Sequence, residues 1–267
     1  MPHTAQSASP ASSSPAAKRQ DCRSHRHITR NGPFGARFAR FGRAFRVTWH
    51  AGVARVGRCL AWSMRFSWGD SCAAFADAAG WFVRTAALVG DRWDRPGLGE
   101  WDVRALVGHT SRALLTVETY LARPAAAVDL ASAPDYFRAI SAAAAAPAVA
   151  ARGRDAGTAL GSDPEAAVAD IAARVLALVD TQNGTEVVAT IAGGMRLGDY
   201  LPTRTFELAV HTADLATTLG VPLDVPATAA AQALHIVADL ALTSGLGGPL
   251  LLAATGRPGL PAGSSVL

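Results

Sequence analysis

The residues best suited to chemistry lie in one stretch, Arg204 to Gly220. Glu207 and His211 are four residues apart, so on a helix their side chains share one face, and Asp214 lies near that face. Apolar residues surround them, which predicts a helix packed largely inside a domain: Phe206, Leu208, Val210, Leu215 and Leu219. A carboxylate and an imidazole cost free energy in such surroundings unless a charged or polar partner satisfies them. A divalent metal is one such partner.

A metal would need a third ligand from elsewhere in the chain, and His109 is the candidate, since it borders the apolar stripe of an earlier predicted helix. Two histidines and one glutamate with open positions form a ligand set typical of catalytic zinc. Neighbouring helices in a bundle lie about 8–10 Å apart, so inward side chains can meet on one ion. The alternative is a hydrogen bond between Glu207 and His211 without metal, with His109 packed separately.

Three further polar residues have weaker signals. Arg204 lies one helical turn before the glutamate and is predicted either to contact an anion near the metal or to pair with a carboxylate such as Asp199. Asp214 is a candidate second-shell acceptor for His211, or else an ordinary solvent-facing aspartate. His235 is interpreted as a packed histidine, with a fourth metal ligand as the alternative. No serine or cysteine has a context typical of a nucleophile.

The elements that must position these residues are helices. Apolar residues at three- and four-residue spacing predict helices over 70–91, 102–121, 134–151, 164–180, 199–219 and 226–244. The inward residues of the first two are expected to be Phe75, Ala79, Phe82, Ala86 and Val89, and then Val103, Leu106, Val107, Leu114 and Val117. We expect an all-α helical bundle.

The connections are predicted to be short. Residues 152–161 are interpreted as a polar loop, and 187–191 as a short strand broken by Gly193 and Gly194. Near the carboxyl end, 250–254 and 265–267 are predicted to pair as a small ribbon.

The charge of the chain divides at residue 68. Residues 1–68 carry 12 Lys and Arg against one acid, a net charge of +11, whereas the remainder carries 13 Arg against 20 acids, a net charge of −7. The folded part is therefore acidic, which argues against nucleic acid as its partner. No apolar run is long and uninterrupted enough to predict a membrane span. Three scattered cysteines predict neither a disulfide framework nor a zinc ribbon, and we expect a cytoplasmic protein.

Three segments are predicted. Residues 1–68 form a basic, disordered leader, 69–220 the bundle, and 221–267 a short carboxyl-terminal appendage. One alternative is that translation starts near Met64, so that 1–63 are no part of the natural protein. Another is that the leader is a basic arm that binds nucleic acid or membrane.

Two motifs carry a resemblance to a known family. The run Pro96-Gly-Leu-Gly-Glu-Trp-Asp-Val-Arg-Ala-Leu-Val-Gly-His109 and the later run Tyr200-Leu-Pro-Thr-Arg-Thr-Phe-Glu207-Leu-Ala-Val-His211-Thr-Ala-Asp214 together resemble the mycothiol-dependent maleylpyruvate isomerase family. That family belongs to the DinB-like metal-binding bundles. The resemblance implies an up-down four-helix bundle in which His109, Glu207 and His211 bind one divalent metal, usually zinc, with a small carboxyl-terminal appendage.

The resemblance also implies a chemistry. The metal would bind the sulfur of a low-molecular-weight thiol, mycothiol, and favour its thiolate form. Addition of this thiolate to a small electrophilic substrate would allow isomerisation or transfer of sulfur. Hydrolysis by metal-bound water is the competing chemistry. A different class of function, a non-catalytic metal-stabilised bundle that binds a ligand or a protein partner, stays open.

Overall fold

Four packed helices form the core of the part of the chain that the structure describes. The computed structural model describes residues 66–141 and 146–267, so the predictions for the basic leader lie almost entirely outside the described residues. The described elements, in chain order, are α1 (Trp68–Ala86), α2 (Val103–Leu121), α3 (Ala133–Ser141), α4 (Ala146–Ala159), α5 (Pro164–Asp180), β1 (Val187–Thr190), β2 (Gly193–Arg196), α6 (Leu197–Leu219), α7 (Ala227–Thr243) and α8 (Gly247–Ala254). Helices α1 and α2 each pack against both α5 and α6, which confirms the predicted all-α bundle.

Local sequence fixes where these helices begin and end. The Ser67 side chain accepts a hydrogen bond from the Asp70 amide, and the Asp70 carboxylate accepts one from the Ser67 backbone N–H, a capping box that starts α1. Asp102 caps α2 by accepting a hydrogen bond from the Ala105 amide at 2.7 Å, as its position predicted. Gly220 ends α6 in the left-handed conformation, with a φ of 68°, which costs glycine nothing.

The core is built from the residues that the apolar spacing predicted. Every residue expected to face inward from the first two helices is buried. The side chains of α6 interleave with them, and Phe206, Leu208, Leu215 and Leu219 are buried as well. Burying each large apolar side chain contributes about 1.5–3 kcal/mol. The bundle is therefore held mainly by the stripes that the sequence displays.

Helix α4 corrects the predicted polar loop at 152–161. The helix runs to Ala159 and packs against α2 through glycines rather than through large apolar side chains. A Cβ atom on Gly108 would lie 2.1 Å from the backbone nitrogen of Gly157, so the two backbones touch there. Its contact face therefore lacks the apolar period that predicts a helix. The helix expected over 134–151 is in fact α3 followed by the start of α4.

Strand β1 confirms the short strand predicted near 187–191, and the glycine pair 193–194, predicted only to break that strand, begins its partner β2. Strands β1 and β2 pair as an antiparallel hairpin. The Gly194 amide donates to the Asp129 carboxylate at 2.7 Å, and a Cβ on Gly194 would lie 1.9 Å from the Ala127 carbonyl oxygen. Glycine is present because the preceding loop crosses the strand at this point.

The carboxyl-terminal appendage is helical. Helix α7 packs against α1 and α6, and Thr228 donates a hydrogen bond to Asp77 at 2.6 Å. The ribbon predicted from 250–254 and 265–267 is wrong, because 250–254 lie in α8 and 265–267 form no strand. The division of the chain at residue 220 stays a prediction. None of the helices in the described ranges is both long and apolar enough to cross a membrane.

Candidate metal centre

The packing of α2 against α6 brings the three predicted ligands together. His109 comes from α2, and Glu207 and His211 come from successive turns of α6. One potential ligand atom from each residue lies within 4.8 Å of those of the other two. The two imidazole rings are nearly perpendicular, with centroids 4.7 Å apart. The geometry therefore offers two nitrogens and a carboxylate oxygen to one point between the helices.

His211 is fixed by carboxylates on both sides. Its Nε2 lies 3.2 Å from the Glu207 carboxylate, and its Nδ1 lies 3.0 Å from Asp214. Asp214 therefore lies where the sequence predicted an acceptor behind the ring. A carboxylate in that position would hold the Nδ1 proton and leave Nε2 available to an ion on the Glu207 side.

The charges within the cluster oppose one another. Burial by itself raises the pKa of Glu207, but the hydrogen bond with His211 and the charge of Arg204 outweigh it and lower that pKa to about 2. Burial lowers the pKa of His211, and the hydrogen bonds with Asp214 and Glu207 raise it by more, to about 9. Burial and the charge of His211 lower the pKa of His109 to about 4. At neutral pH the metal-free cluster therefore holds an ionised glutamate, a charged His211 and a neutral His109.

His109 is held differently from His211. Its Nδ1 is buried and has no hydrogen-bond partner in the described part of the chain. Its ring packs against the indole of Trp101, with centroids 4.4 Å apart and a tilt of 33°. An imidazole that is neutral and unpartnered has a lone pair free to bind a cation.

Arg204, three residues before Glu207 on α6, is a buried charge with only 7% of its surface exposed. Its guanidinium carbon lies 5.2 Å from the ring centroid of Tyr136 and 4.9 Å from that of Tyr200. Its Nε donates a hydrogen bond to the Thr203 hydroxyl at 2.9 Å. Burial opposes the charge, but the neighbouring tyrosines and Glu207 raise the pKa of Arg204, so the side chain stays charged. The predicted contact between Arg204 and an anion stays a prediction.

His235 is not part of this cluster. It lies on α7, where its ring packs edge-on against Phe66 at 5.5 Å and its Nε2 lies 3.6 Å from Asp239. The packed-histidine interpretation therefore describes its surroundings.

The residues that sequence reasoning did not single out are the aromatic ones. Trp101 was visible in the quoted motif, but nothing in its spacing from His109 showed that their rings pack together.

Comparison with known families places this cluster in context. Residues 72–216, more than half of the chain, match the family model described as the mycothiol maleylpyruvate isomerase N-terminal domain. The chain belongs to this family. The matched region begins early in α1, ends within α6 and includes all three predicted ligands. No curated protein and no solved structure matches the chain. Membership supports a role of the mycothiol maleylpyruvate isomerase type at the level of the family.

The residues of this family member fit a divalent metal. Imidazole nitrogens and a carboxylate oxygen suit zinc and other divalent transition metals. The unpartnered, buried Nδ1 of His109 is a polar atom that costs free energy unless something binds it. Its neutral state and the ionised state of Glu207 are the protonation states that a metal requires of its ligands.

Proposed function

We propose that this protein is a divalent-metal-dependent enzyme of the mycothiol maleylpyruvate isomerase type. It would use a low-molecular-weight thiol, mycothiol, for isomerisation or sulfur transfer on a small electrophilic substrate. His109, Glu207 and His211 would hold the metal, and zinc is the first metal to test. The observation that carries the proposal is the close approach of these three ligand atoms in a member of this family.

Each residue of the cluster has a role in this proposal. A divalent metal, when bound, would favour the thiolate form of a thiol ligand. Glu207 would contribute a full negative charge, because its pKa is lowered to about 2. Asp214 would hold the proton on His211 Nδ1 and so orient that ring. His109 would contribute a neutral nitrogen, since burial keeps its pKa far below neutrality.

Arg204 could act on the site in two ways. As an anion contact it would bind an acidic group of the substrate beside the metal. The alternative is that Arg204 acts on the site through its charge, which lowers the pKa of Glu207. The burial of the guanidinium between two tyrosine rings favours the second of these.

Metal content tests the proposal first. The full-length protein and its His109→Ala, His211→Ala and His235→Ala variants would be loaded with Zn²⁺, desalted and measured by elemental analysis. We expect about one equivalent in the parent and in His235→Ala, because His235 lies outside the cluster, and none in the other two. A parent protein that is helical by circular dichroism but holds no zinc after loading would overturn the proposal.

Activity then separates catalysis from a structural role. The zinc-loaded parent would be assayed for isomerisation of maleylpyruvate with and without added mycothiol. Turnover that requires both zinc and the thiol would support the proposal. Zinc that raises the melting temperature without any turnover would favour the non-catalytic, metal-stabilised bundle, and turnover of an ester or amide without thiol would favour hydrolysis. A cytoplasmic location and the absence of a nucleic-acid partner for the folded part stay predictions.

A further inference from the structure

The two histidines of the cluster are oriented by different means. His211 lies between two carboxylates at hydrogen-bond distance. Metal-binding histidines are usually oriented in this way, by a hydrogen bond to the nitrogen that does not bind the metal. Across residues 66–141 and 146–267, His109 has no side-chain hydrogen bond at either nitrogen, so whichever nitrogen binds a metal, the other is not oriented in this way. Something else must therefore set the angle of the His109 ring.

The indole of Trp101 is the group that contacts this ring. It packs along the His109 face at 4.4 Å and presents itself nearly edge-on to His211 at 6.5 Å. Only 9% of the Trp101 surface is exposed, and its indole covers one face of the His109 ring. A planar ring held against an imidazole limits the rotation of that imidazole, because it leaves one face no room to turn.

Trp101 is itself held from two sides. Its own backbone is tied into the preceding turn, where Trp101 N–H donates to the Leu98 carbonyl and its carbonyl accepts from Gly97. On the other side its indole N–H donates to the Ala150 carbonyl of α4 at 3.0 Å. A Cβ atom on Gly153 would lie 2.6 Å from the indole, so only glycine lets α4 approach so closely.

We propose that Trp101 is a positioning residue for His109, and that α4 holds it in place through the Ala150 carbonyl and the bare backbone at Gly153. The inference rests on the proposed function, since it concerns a ligand of the proposed metal. It adds that ring packing, rather than a hydrogen bond, pre-sets the His109 nitrogen, and that α4 takes part in metal binding without supplying a ligand.

The experiment compares Trp101→Ala, Trp101→Phe and Gly153→Ala in the full-length protein. Trp68→Ala is the matched control, because the Trp68 indole also donates to a carbonyl, that of Gln182, and also packs on a glycine, Gly184, but away from the ligands. Zn²⁺ affinity is measured by competition with a chromophoric chelator. We expect Trp101→Ala to bind Zn²⁺ about 10- to 100-fold more weakly, the usual effect of losing a group that orients a ligand.

Trp101→Phe keeps an aromatic face and should recover most of the affinity. Gly153→Ala should weaken binding because its new methyl group displaces the indole. Trp68→Ala should lower the melting temperature and leave the affinity unchanged. A second readout needs no metal. In nuclear magnetic resonance spectra of the apoprotein, the ring current of the indole should change the chemical shifts of the His109 ring protons, and Trp101→Ala should remove that change.

The outcomes separate the two proposals. Absence of Zn²⁺ binding in the parent would overturn the proposed function. Zn²⁺ binding in the parent with the same affinity in Trp101→Ala, or His109 proton shifts that ignore that substitution, would overturn the positioning role alone. If Trp101→Ala does not fold, Trp101→Phe and Gly153→Ala decide: unchanged affinity and unchanged His109 shifts in Gly153→Ala would overturn the positioning role.

Discussion

Alanine at Gly108 and alanine at Gly80 should change the stability of this protein in opposite directions. Both glycines lie inside long helices, Gly108 in α2 and Gly80 in α1. A Cβ on Gly108 would lie 2.1 and 2.4 Å from backbone atoms of Gly157 in α4, which cannot turn aside. A Cβ on Gly80 would meet only the end of the Arg84 side chain, at 3.2 Å, and that side chain is exposed and free to move.

The magnitudes follow from these contacts. Alanine favours a helix over glycine by about 0.8–1.0 kcal/mol, so Gly80→Ala should raise the free energy of unfolding by up to about 1 kcal/mol. At Gly108 the same gain is opposed by overpacking. Non-bonded carbon atoms prefer separations of about 3.5–4.0 Å, so α2 and α4 must move apart by more than about 1 Å. Overpacking costs about 1–3 kcal/mol and sometimes more, and the upper end applies here because the clash is with backbone atoms, so the net loss should be roughly 2 kcal/mol.

Thermal unfolding followed by circular dichroism measures both changes. In a domain of this size 1 kcal/mol shifts the melting temperature by about 2–4 °C, so Gly108→Ala should melt about 4–8 °C lower and Gly80→Ala a few degrees higher. Urea titrations would show whether the m-value, the slope of the unfolding free energy against urea concentration, is unchanged. A Gly108→Ala protein as stable as the parent would refute the close α2–α4 contact. It would also mean that glycine contacts do not hold α4 against α2.

Two further predictions concern the metal. Asp214→Asn should weaken Zn²⁺ binding about 10- to 100-fold, because the neutral amide is a poorer acceptor for the His211 ring; competition with a chelator measures it, and equal affinities would exclude an orienting role for Asp214. Zn²⁺ binding at pH 7 should release about one proton, because the pKa of His211 is raised to about 9 in the metal-free protein and a coordinating nitrogen must lose its proton. Calorimetry in buffers of different ionisation enthalpy counts that proton, the apparent affinity should rise with pH up to about 9, and binding without proton release would contradict this assignment.

The sequence predicted those parts of the fold that repeat along one helix. The inward stripe from Val103 to Val117 and the cap at Asp102 are local patterns, and both are confirmed. The structure of α4 could not be predicted in this way. Its contact with α2 depends on Gly157 meeting Gly108, and glycine normally signals the end of a helix rather than its packed face. Gly194 misled for the same reason, since the loop that requires it lies 65 residues earlier at Asp129.

The candidate site divides along the same line. Glu207, His211 and Asp214 lie on one helix, so their juxtaposition follows from helical geometry alone. The approach of His109 depends on how α2 packs against α6, and the spacing of residues could only suggest it. The contact between α4 and Trp101 could not be predicted, because it depends on a helix that the sequence did not reveal.

Metal binding and folding should be coupled through His109. A pair such as Glu207 and His211 can form wherever α6 is helical, including in a loosened bundle. The His109 nitrogen joins that pair only when α2, α4 and α6 are all packed, because its ring is held by Trp101 and not by a bond on its own helix. A ligand that binds the native state and not the unfolded state stabilises the native state in proportion to the logarithm of its concentration. Zinc should therefore stabilise the α2–α4 contact specifically, and amides of α4, which supplies no ligand, should gain protection from hydrogen exchange when zinc binds. Protection confined to α2 and α6 would show instead that the indole is a passive neighbour of His109.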